Sequence, residues 1–121
     1  MSEQEKLVIL ATHGPESPEL ATIPFVMACA ALASEVHVVM GFQGNAVCLM
    51  HQGEADTVEA PGFPPLAKLV KDFAELGGES LVCGPCAKSR EIEGSLIDGA
   101  EIVAAGRFVA EITSARATLT Y

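Results

Sequence analysis

An uninterrupted apolar run near the start of the chain constrains the fold more than any other feature of the sequence. The apolar residues Leu7 to Ala11 separate the charged Lys6 from a polar segment that begins at Thr12. A run without alternation is expected of a strand that is covered on both faces, as in a parallel sheet. We therefore expect helices on both sides of a mostly parallel sheet.

The rest of the sequence alternates between extended and helical patterns. Further strands are predicted at EVHVVMGF, Ser80–Cys83, Glu101–Ala104 and the terminal ATLTY. Helices are predicted after Ser17-Pro18, over PLAKLVKDFAEL, from Pro85 or Cys86, and over about Ala104–Ser114. This alternation predicts a three-layer α/β fold in one domain over residues 1–121, with a polar N-terminal tail at residues 1–5.

Two segments carry more detailed expectations. Pro24 should either kink the first helix or mark its true start. The segment GNAVCLMHQG fits a short helical turn as well as a bent extension of the second strand. Five apolar residues of the first helix fall on one side of it: Leu20, Ile23, Met27, Ala31 and Leu32.

Charge and hydropathy exclude two classes of partner. The formal net charge is −9, and the seven Lys and Arg residues are scattered, so we expect no nucleic-acid partner. The longest uncharged apolar stretch, Leu20 to Ser34, is shorter than the ~20 residues of a membrane span.

The opening MSEQEK lacks the order of a secretory leader, so we expect a cytoplasmic protein. Half of the residues are hydrophobic, which favours a homo-oligomer.

The stretch SLVCGPCAKSR carries the strongest chemical signal. Cys83 ends an apolar strand and precedes a predicted helix, whose first amides and dipole stabilise an anion. We therefore expect a lowered pKa for Cys83 and a nucleophilic thiolate. Cys86 supplies a second thiol, and Lys88 and Arg90 would add positive charge if they fold back over the loop.

The two residues between the cysteines also fit this interpretation. Gly84 permits an unusual turn, and Pro85 suits the first helical position because it has no N–H to leave unpaired. His13 ends the first strand and would share a sheet edge with Cys83, where it could move a proton near neutral pH. Together these residues predict a reactive-thiol site at the carboxyl ends of the strands.

The remaining cysteines raise a metal alternative. Cys48-x-x-His51 and the Cys83-x-x-Cys86 pair would together supply three thiolates and one imidazole for zinc. AVCLMHQG does not have the form of a zinc knuckle or ribbon, so we predict no metal and no cofactor. Cys29 lies among apolar helical residues and is expected in the core.

Thioredoxin-like oxidoreductases carry the same four letters, CGPC. In those proteins the motif lies early in the chain and normally follows a Trp, whereas this chain has no Trp and its motif lies two thirds along. On the residues alone, a thiol–disulfide oxidoreductase or redox sensor that uses Cys83 and Cys86 remains an alternative. A non-catalytic oligomeric binding module is a further one.

The order of the segments resembles the DsrE/DsrF/TusD-like family over about Lys6 to Tyr121. The stretch from ATHGPESPEL to VHVVMGFQGNAVCLM is similar to that family's first strand, Gly/Pro loop, Ala-rich helix and second strand. The stretch GFPPLAKLVKDFAELGGESLVCGPCAKSREI is similar to its next helix, strand and cysteine loop, and AEIVAAGRFVAEITSARATLTY to its closing helix and strand.

The resemblance implies a flavodoxin-like α/β/α subunit with a five-stranded sheet, assembled into trimers or hexamers. It also implies a function, because sulfur-relay members accept sulfane sulfur as a persulfide on a cysteine at a strand end. Cys83 matches that position, and Cys86 is the second cysteine of a branch with a paired motif. The partners would be sulfur donor and acceptor proteins or small persulfides.

Overall fold

The computed structural model describes residues 4–121 and confirms the predicted α/β class. Five strands are present: β1 (Lys6–Ala11), β2 (His37–Phe42), β3 (Glu79–Cys83), β4 (Ala100–Val103) and β5 (Ala117–Thr120). The four α-helices are α1 (Pro18–Ala33), α2 (Leu66–Glu75), α3 (Gly84–Ser89) and α4 (Ala105–Thr113). Short 3₁₀ segments span Gly44–Met50 and Ala55–Thr57. Over residues 4–121, no helix combines the length and the hydropathy that crossing a membrane requires.

The strands form one sheet in the order β4-β3-β2-β1-β5, and every pairing between them is parallel. The flavodoxin order is 2-1-3-4-5, so the chain shares the layers of that architecture with its own strand order. Phe42 of β2 lies opposite Val82 of β3, and Cys83 lies opposite Val103 of β4. The carboxyl ends of the strands therefore meet at one edge of the sheet.

One face of the sheet is covered by α1 and α2. Phe25 of α1 stacks on Phe42 of β2 and meets Phe73 of α2 edge to face, each pair with ring centroids 5.7 Å apart. Ile9 and Met40 lie on the same face and are fully buried. This aromatic cluster is the larger of the two apolar layers and fixes α1 and α2 against the strands.

The opposite face is covered by α4. Phe108 of this helix packs against Val8, Val39 and Leu81, which alternate along their strands with the residues of the first face. Gly41 leaves the space for that ring, because a Cβ built there would lie 2.6 Å from Phe108 Cε1. The sheet is thus buried on both sides, as the continuous apolar runs of β1 and β2 predict.

The first helix begins where the sequence predicted but buries a different face. Pro24 lies inside α1, which begins at Pro18 behind the N-cap Ser17, so Pro24 does not mark the helix start. The core-facing residues are Ala21, Phe25 and Ala28. The predicted apolar side instead leaves Leu20 and Met27 37% and 43% exposed. Because α1 is apolar nearly all round, hydrophobic spacing does not distinguish its buried face.

The segment after β2 has a definite outcome, whereas the predicted N-terminal tail is described only in part. GNAVCLM forms the longer 3₁₀ segment, Gly44–Met50, directly after β2. Residues 1–3 of the predicted polar tail lie outside the described residues. Gln4 and Glu5 precede β1, and the Glu5 carbonyl accepts a hydrogen bond from the His37 amide at 2.9 Å.

We predict that Gly41→Ala destabilises the fold by about 1–3 kcal/mol, because the added methyl would overlap the Phe108 ring and the Leu10 side chain. Urea unfolding followed by circular dichroism measures the change. Gly106→Ala is the matched control: nothing lies within 4 Å of its Cβ position in α4, and it should stabilise by up to ~1 kcal/mol. Wild-type stability of Gly41→Ala would contradict the packing described here.

Candidate functional site

Cys83 lies at the junction between β3 and α3. It is the last residue of the strand and the N-cap of the helix. The helix begins at Gly84, one residue before Pro85, the first of the two predicted starts. The side chain is half-buried and packs against both apolar layers. The chain thus presents a partly accessible thiol at the carboxyl edge of the sheet, where ligands collect in open α/β folds.

Gly84 serves a different purpose from the predicted one. Its φ is not positive, so it forms no unusual turn. A Cβ at this position would lie 3.3 Å from Ile102 Cγ2 and 3.4 Å from the Val103 carbonyl oxygen, so the glycine allows β4 to approach the motif. Pro85 follows in the first turn of α3 and is exposed.

The electrostatic environment of Cys83 corrects the expectation of a lowered pKa. Burial raises the pKa of the Cys83 thiol, and a hydrogen bond with the Cys86 side chain raises it further. The Cys86 backbone amide and the Arg90 charge oppose this change but do not overcome it. Since α3 spans only Gly84–Ser89, its dipole is too small to offset the desolvation of a thiolate at the strand end.

A second backbone amide points at Cys86. Gly44, the first residue of the longer 3₁₀ segment, donates its N–H to Cys86 Sγ at a nitrogen–sulfur distance of 3.2 Å. Gly44 has φ +55°, a left-handed conformation that glycine adopts without strain. A hydrogen bond from an amide stabilises negative charge on the atom that accepts it. The two motif cysteines therefore occupy chemically different surroundings.

Arg90 folds back over the motif, while Lys88 makes no comparable contact. Arg90 Nη1 donates to the Cys86 carbonyl oxygen at 3.1 Å, and Arg90 Nε donates to Asn45 Oδ1 at 3.2 Å. Lys88 is exposed and makes no hydrogen bond or ion pair with other residues in 4–121. The positive charge near Cys83 that the sequence predicted is therefore held in place at Arg90.

Glu16 and Asn45 belong to the site although the sequence analysis did not single out Asn45 and gave Glu16 no role. Asn45 Nδ2 donates to Glu16 Oε1, and the Gly14 amide donates to the same carboxylate at 2.8 Å. Burial raises the pKa of Glu16, but these hydrogen bonds outweigh it and the pKa is lowered. The carboxylate is therefore ionised at neutral pH.

Gly14 allows the β1 loop to meet the 3₁₀ segment. A Cβ at Gly14 would lie 2.2 Å from the Asn45 carbonyl oxygen, so only glycine fits this close approach. The glycine in ATHGPESP was a visible signal for a tight contact, but nothing in the sequence identified Asn45 as the other side. The site is consequently built from three segments: the β1 loop, the 3₁₀ segment and α3.

His13 lies at the predicted edge but not beside Cys83. β2 separates its strand from β3, which places the strands about two 4.8 Å spacings apart. Its Nδ1 lies 3.3 Å from Thr12 Oγ1. Among residues 4–121, no hydrogen bond joins His13 to either motif cysteine. A direct role for His13 on Cys83 stays a prediction from the sequence alone.

Cys48 and His51, the other half of the predicted zinc alternative, contact different parts of the chain. Cys48 Sγ donates to Asn45 Oδ1 at 3.6 Å; burial raises its pKa, and the Arg90 charge acts in the opposite direction. His51 pairs with Leu96 in an antiparallel bridge, and its Nδ1 lies 3.5 Å from Glu54 Oε1. Within the part of the chain that the structure describes, no three His, Cys, Asp or Glu residues are grouped to hold a metal ion. The Cys₃His zinc set is not assembled in this chain.

An open cavity of about 210 Å³ lies beside His51. It is smaller than the 300–1,000 Å³ usual for small-molecule and cofactor sites. Its lining contains no cysteine, so it is separate from the motif: Leu49, His51, Gly53, Ala55, Asp56, Ala67, Val70, Lys71 and Ile97.

Comparison with known proteins identifies relatives over nearly the whole chain. The profile of the DsrE/DsrF-like family matches residues 5–121. The uncharacterized protein MJ0760 of Methanocaldococcus jannaschii is 34% identical over 106 residues, 87% of this chain, which spans only 38% of that protein. The uncharacterized protein MJ0989 of the same organism is 28% identical over 117 residues, 96% of this chain and 99% of its own length.

Two solved structures share the fold. The crystal structure of the ychN protein from E. coli superposes with a TM-score of 0.83 at 23% identity, covering 98% of this chain and 100% of that one. A conserved protein of unknown function from Bacteroides thetaiotaomicron, BT1422, gives a TM-score of 0.72 at 14% identity, covering 97% and 95%. At these identities the two structures support the architecture and nothing finer.

We predict that the alkylation of Cys83 by iodoacetamide rises with pH to a midpoint above that of a free cysteine thiol, because its pKa is raised by burial. Arg90→Gln should move the midpoint higher still and slow the reaction at pH 7.5 by roughly two- to fivefold, since a nearby positive charge is lost. Mass mapping of the Cys83 adduct over time provides the rates, with Cys29→Ser as the control. A midpoint below that of free cysteine would contradict the raised pKa.

Proposed function

Because the chain belongs to the DsrE/DsrF-like family, we propose that it carries sulfane sulfur as a persulfide on Cys83 and passes it to an acceptor thiol. Membership of that family suggests a role in sulfur relay. One observation supports Cys83 as the carrier: its half-buried thiol lies at the carboxyl end of β3, beside Cys86 and the tethered Arg90. The placement at a strand end matches the cysteine position of the sulfur-relay members.

Loading begins with the Cys83 thiolate. The thiolate attacks the outer sulfur of a donor persulfide, a new sulfur–sulfur bond forms at Cys83, and the donor thiolate leaves with the electron pair of the broken bond. Because the pKa of Cys83 is raised, the resting thiol must first lose its proton, which makes loading slow until a donor or base removes it. The same environment protects the unloaded cysteine from adventitious oxidation.

Unloading follows the same chemistry in reverse. An acceptor thiolate attacks the outer sulfur of the Cys83 persulfide and restores the Cys83 thiolate. Cys86 offers a second route: its thiolate attacks the inner sulfur, hydrosulfide leaves, and a Cys83–Cys86 disulfide remains. The Gly44 amide donates to Cys86 Sγ at 3.2 Å and holds this sulfur beside the 3₁₀ segment.

The proposal carries expectations about partners and assembly. Donor and acceptor are sulfur-relay proteins or small persulfides, and the setting is the reducing cytoplasm, where free thiols persist. We propose a homo-oligomer, trimer or hexamer. The support on the surface is a set of large apolar side chains that the single chain leaves exposed: Leu20, Met27, Leu76, Ile102 and Val109.

A second candidate function is thiol–disulfide exchange by the Cys83–Cys86 pair. The observation that favours it is the placement of the two free cysteines, Cys83 at the end of β3 and Cys86 in the first turn of α3. A disulfide between them requires the two sulfurs to come within bonding reach. In this candidate both thiols take part in every turnover, whereas a carrier needs only Cys83 for loading.

We predict that incubation with a low-molecular-weight persulfide adds the mass of one sulfur atom to Cys83. Cys83→Ser should abolish the adduct, Cys86→Ser should retain it and extend its lifetime several-fold, and Cys48→Ser should leave it unchanged. Intact and peptide mass spectrometry after thiol trapping measures all three. Absence of the adduct on wild-type Cys83 would rule out the carrier and leave the oxidoreductase or a non-catalytic oligomeric module.

We predict that catalysed reduction of a protein disulfide is negligible, and that Cys86→Ser does not alter sulfur loading. An insulin-type turbidity assay with a dithiol reductant measures the reductase activity. If the wild type reduces disulfides well and Cys86→Ser lowers that rate by about two orders of magnitude or more, the oxidoreductase candidate replaces the carrier.

A further inference from the structure

The ion pairs of the chain leave positive charge in one place. Over residues 4–121, five of the seven Lys and Arg side chains pair with a carboxylate, and the two that do not are Lys88 and Arg90. Both belong to the end of α3, directly after the cysteine motif. The five paired residues are Lys6, Lys68, Lys71, Arg107 and Arg116. Among the residues that the structure describes, the positive charge that lacks an ion-pair partner thus follows directly after the motif of Cys83 and Cys86.

Arg90 differs from Lys88 in being held. Its guanidinium makes hydrogen bonds with the Asn45 side chain, the Cys86 carbonyl oxygen and, at 3.3 Å, the Ser89 hydroxyl. These contacts fix both its distance and its plane relative to the motif. A fixed guanidinium loses less entropy on binding an anion than a free lysine chain does, and its fork suits planar anions.

Asn45 holds Arg90 without neutralising it. Its Oδ1 accepts from Arg90 Nε, and its Nδ2 donates to Glu16, whose second fixed partner is the Gly14 amide. If the Asn45 side-chain amide were flipped, its NH₂ group would face the Arg90 N–H, and two donors would meet. The hydrogen-bond network therefore fixes the orientation of the Asn45 amide. The neutral Asn45 side chain therefore lies between the Glu16 carboxylate and the Arg90 guanidinium. Arg90 is not paired with that carboxylate, so its positive charge is available to a ligand.

A net charge of −9 repels small anions from the molecule as a whole. We infer that Arg90 is the anion-recognition residue of the cysteine site, that Asn45 and Glu16 position it, and that the site selects sulfur donors and acceptors with negative charge next to the reacting sulfur. The assignment of the ligands as sulfur donors and acceptors rests on the proposed function. The charge selectivity itself does not.

A pair of alkylating reagents measures the selectivity. Iodoacetate and iodoacetamide react with a thiolate in the same way, by displacing iodide, and differ mainly in charge. The ratio of their rate constants at Cys83 cancels the thiolate fraction, so a change in pKa alone does not alter it. Fragment-level mass mapping on the full chain distinguishes Cys83 from the other cysteines.

Arg90→Gln should lower the iodoacetate-to-iodoacetamide ratio about three- to tenfold, the effect expected of one nearby charge in a solvated site. Arg90→Lys should retain at least half of the selectivity. Lys88→Gln is the matched control, an equal loss of charge two residues away on a side chain without a tether, and should change the ratio less than twofold. An unchanged ratio in Arg90→Gln would overturn the inference.

The positioning role has its own variant. Asn45→Asp keeps the size and the hydrogen bond to Arg90 but places a carboxylate against it, so the ratio should fall nearly as far as in Arg90→Gln. Asn45→Ala should also lower it, because the guanidinium is released. If either Asn45 variant keeps the wild-type ratio while Arg90→Gln loses it, Asn45 does not position Arg90.

Two measurements keep these outcomes distinct. Thermal melting of each variant identifies misfolding. If Asn45→Ala or Arg90→Gln does not fold, the alkylation ratio is measured on Asn45→Asp and Arg90→Lys, which preserve side-chain size. Persulfide loading is measured separately, and the alkylating reagents carry no sulfur. Charge selectivity without loading would reject the carrier function alone, and loading without selectivity would reject the anion site alone.

Discussion

The parallel pairing of β2 with β3 sets the geometry of the cysteine site. Phe42 lies opposite Val82, so β2 ends one residue before Cys83, and the chain turns at once into the 3₁₀ segment. That turn brings the Gly44 amide to Cys86, and the following Asn45 to Arg90. A shift of one residue in this register would move Cys83 to the other face of the sheet and separate the amide from the sulfur.

The two motif cysteines are divided by this geometry. Cys83 is shielded by the strand and its pKa is raised by burial, while Cys86 Sγ accepts an amide hydrogen bond on the side of the 3₁₀ segment. A persulfide on Cys83 would carry its charge on the outer sulfur, one bond farther from the buried strand than a thiolate charge. The surroundings that oppose a thiolate at Cys83 are therefore less unfavourable to the loaded form.

The sequence was sufficient for features that depend on local pattern. The buried strands and the junction at Cys83 follow from apolar runs and motif spacing over a few residues, whereas the fold-back of Arg90 and not of Lys88 was left open. The predicted direction of the Cys83 pKa shift was wrong. That direction depends on whether a six-residue helix or burial has the larger effect, and burial depends on the tertiary structure. The prediction of which face of α1 is buried was also wrong. Nearly every residue of that helix is apolar, so the sequence did not distinguish the buried Phe25 from the exposed Met27.

The contacts that complete the site were beyond any local pattern. Gly44 and Cys86 are 42 positions apart, Asn45 and Arg90 are 45 apart, and Glu16 and Asn45 are 29 apart. Cys86 and Arg90 stood out in the sequence, but nothing in the segments of Gly44, Asn45 or Glu16 pointed to these contacts. Only Gly14 gave a hint, because a glycine in a strand-end loop often marks a close approach of two backbones.

Under the proposed carrier function, the charge distribution would place two separate requirements on a protein partner. The acidic chain, net −9, would attract a basic surface, while the tethered Arg90 would accept a negative group beside the sulfur. A small anionic persulfide would meet only the second requirement and would be opposed by the surrounding charge. A carrier protein with a basic surface and an anionic terminal sulfur would meet both, so the proposal favours transfer between proteins over transfer from free persulfides.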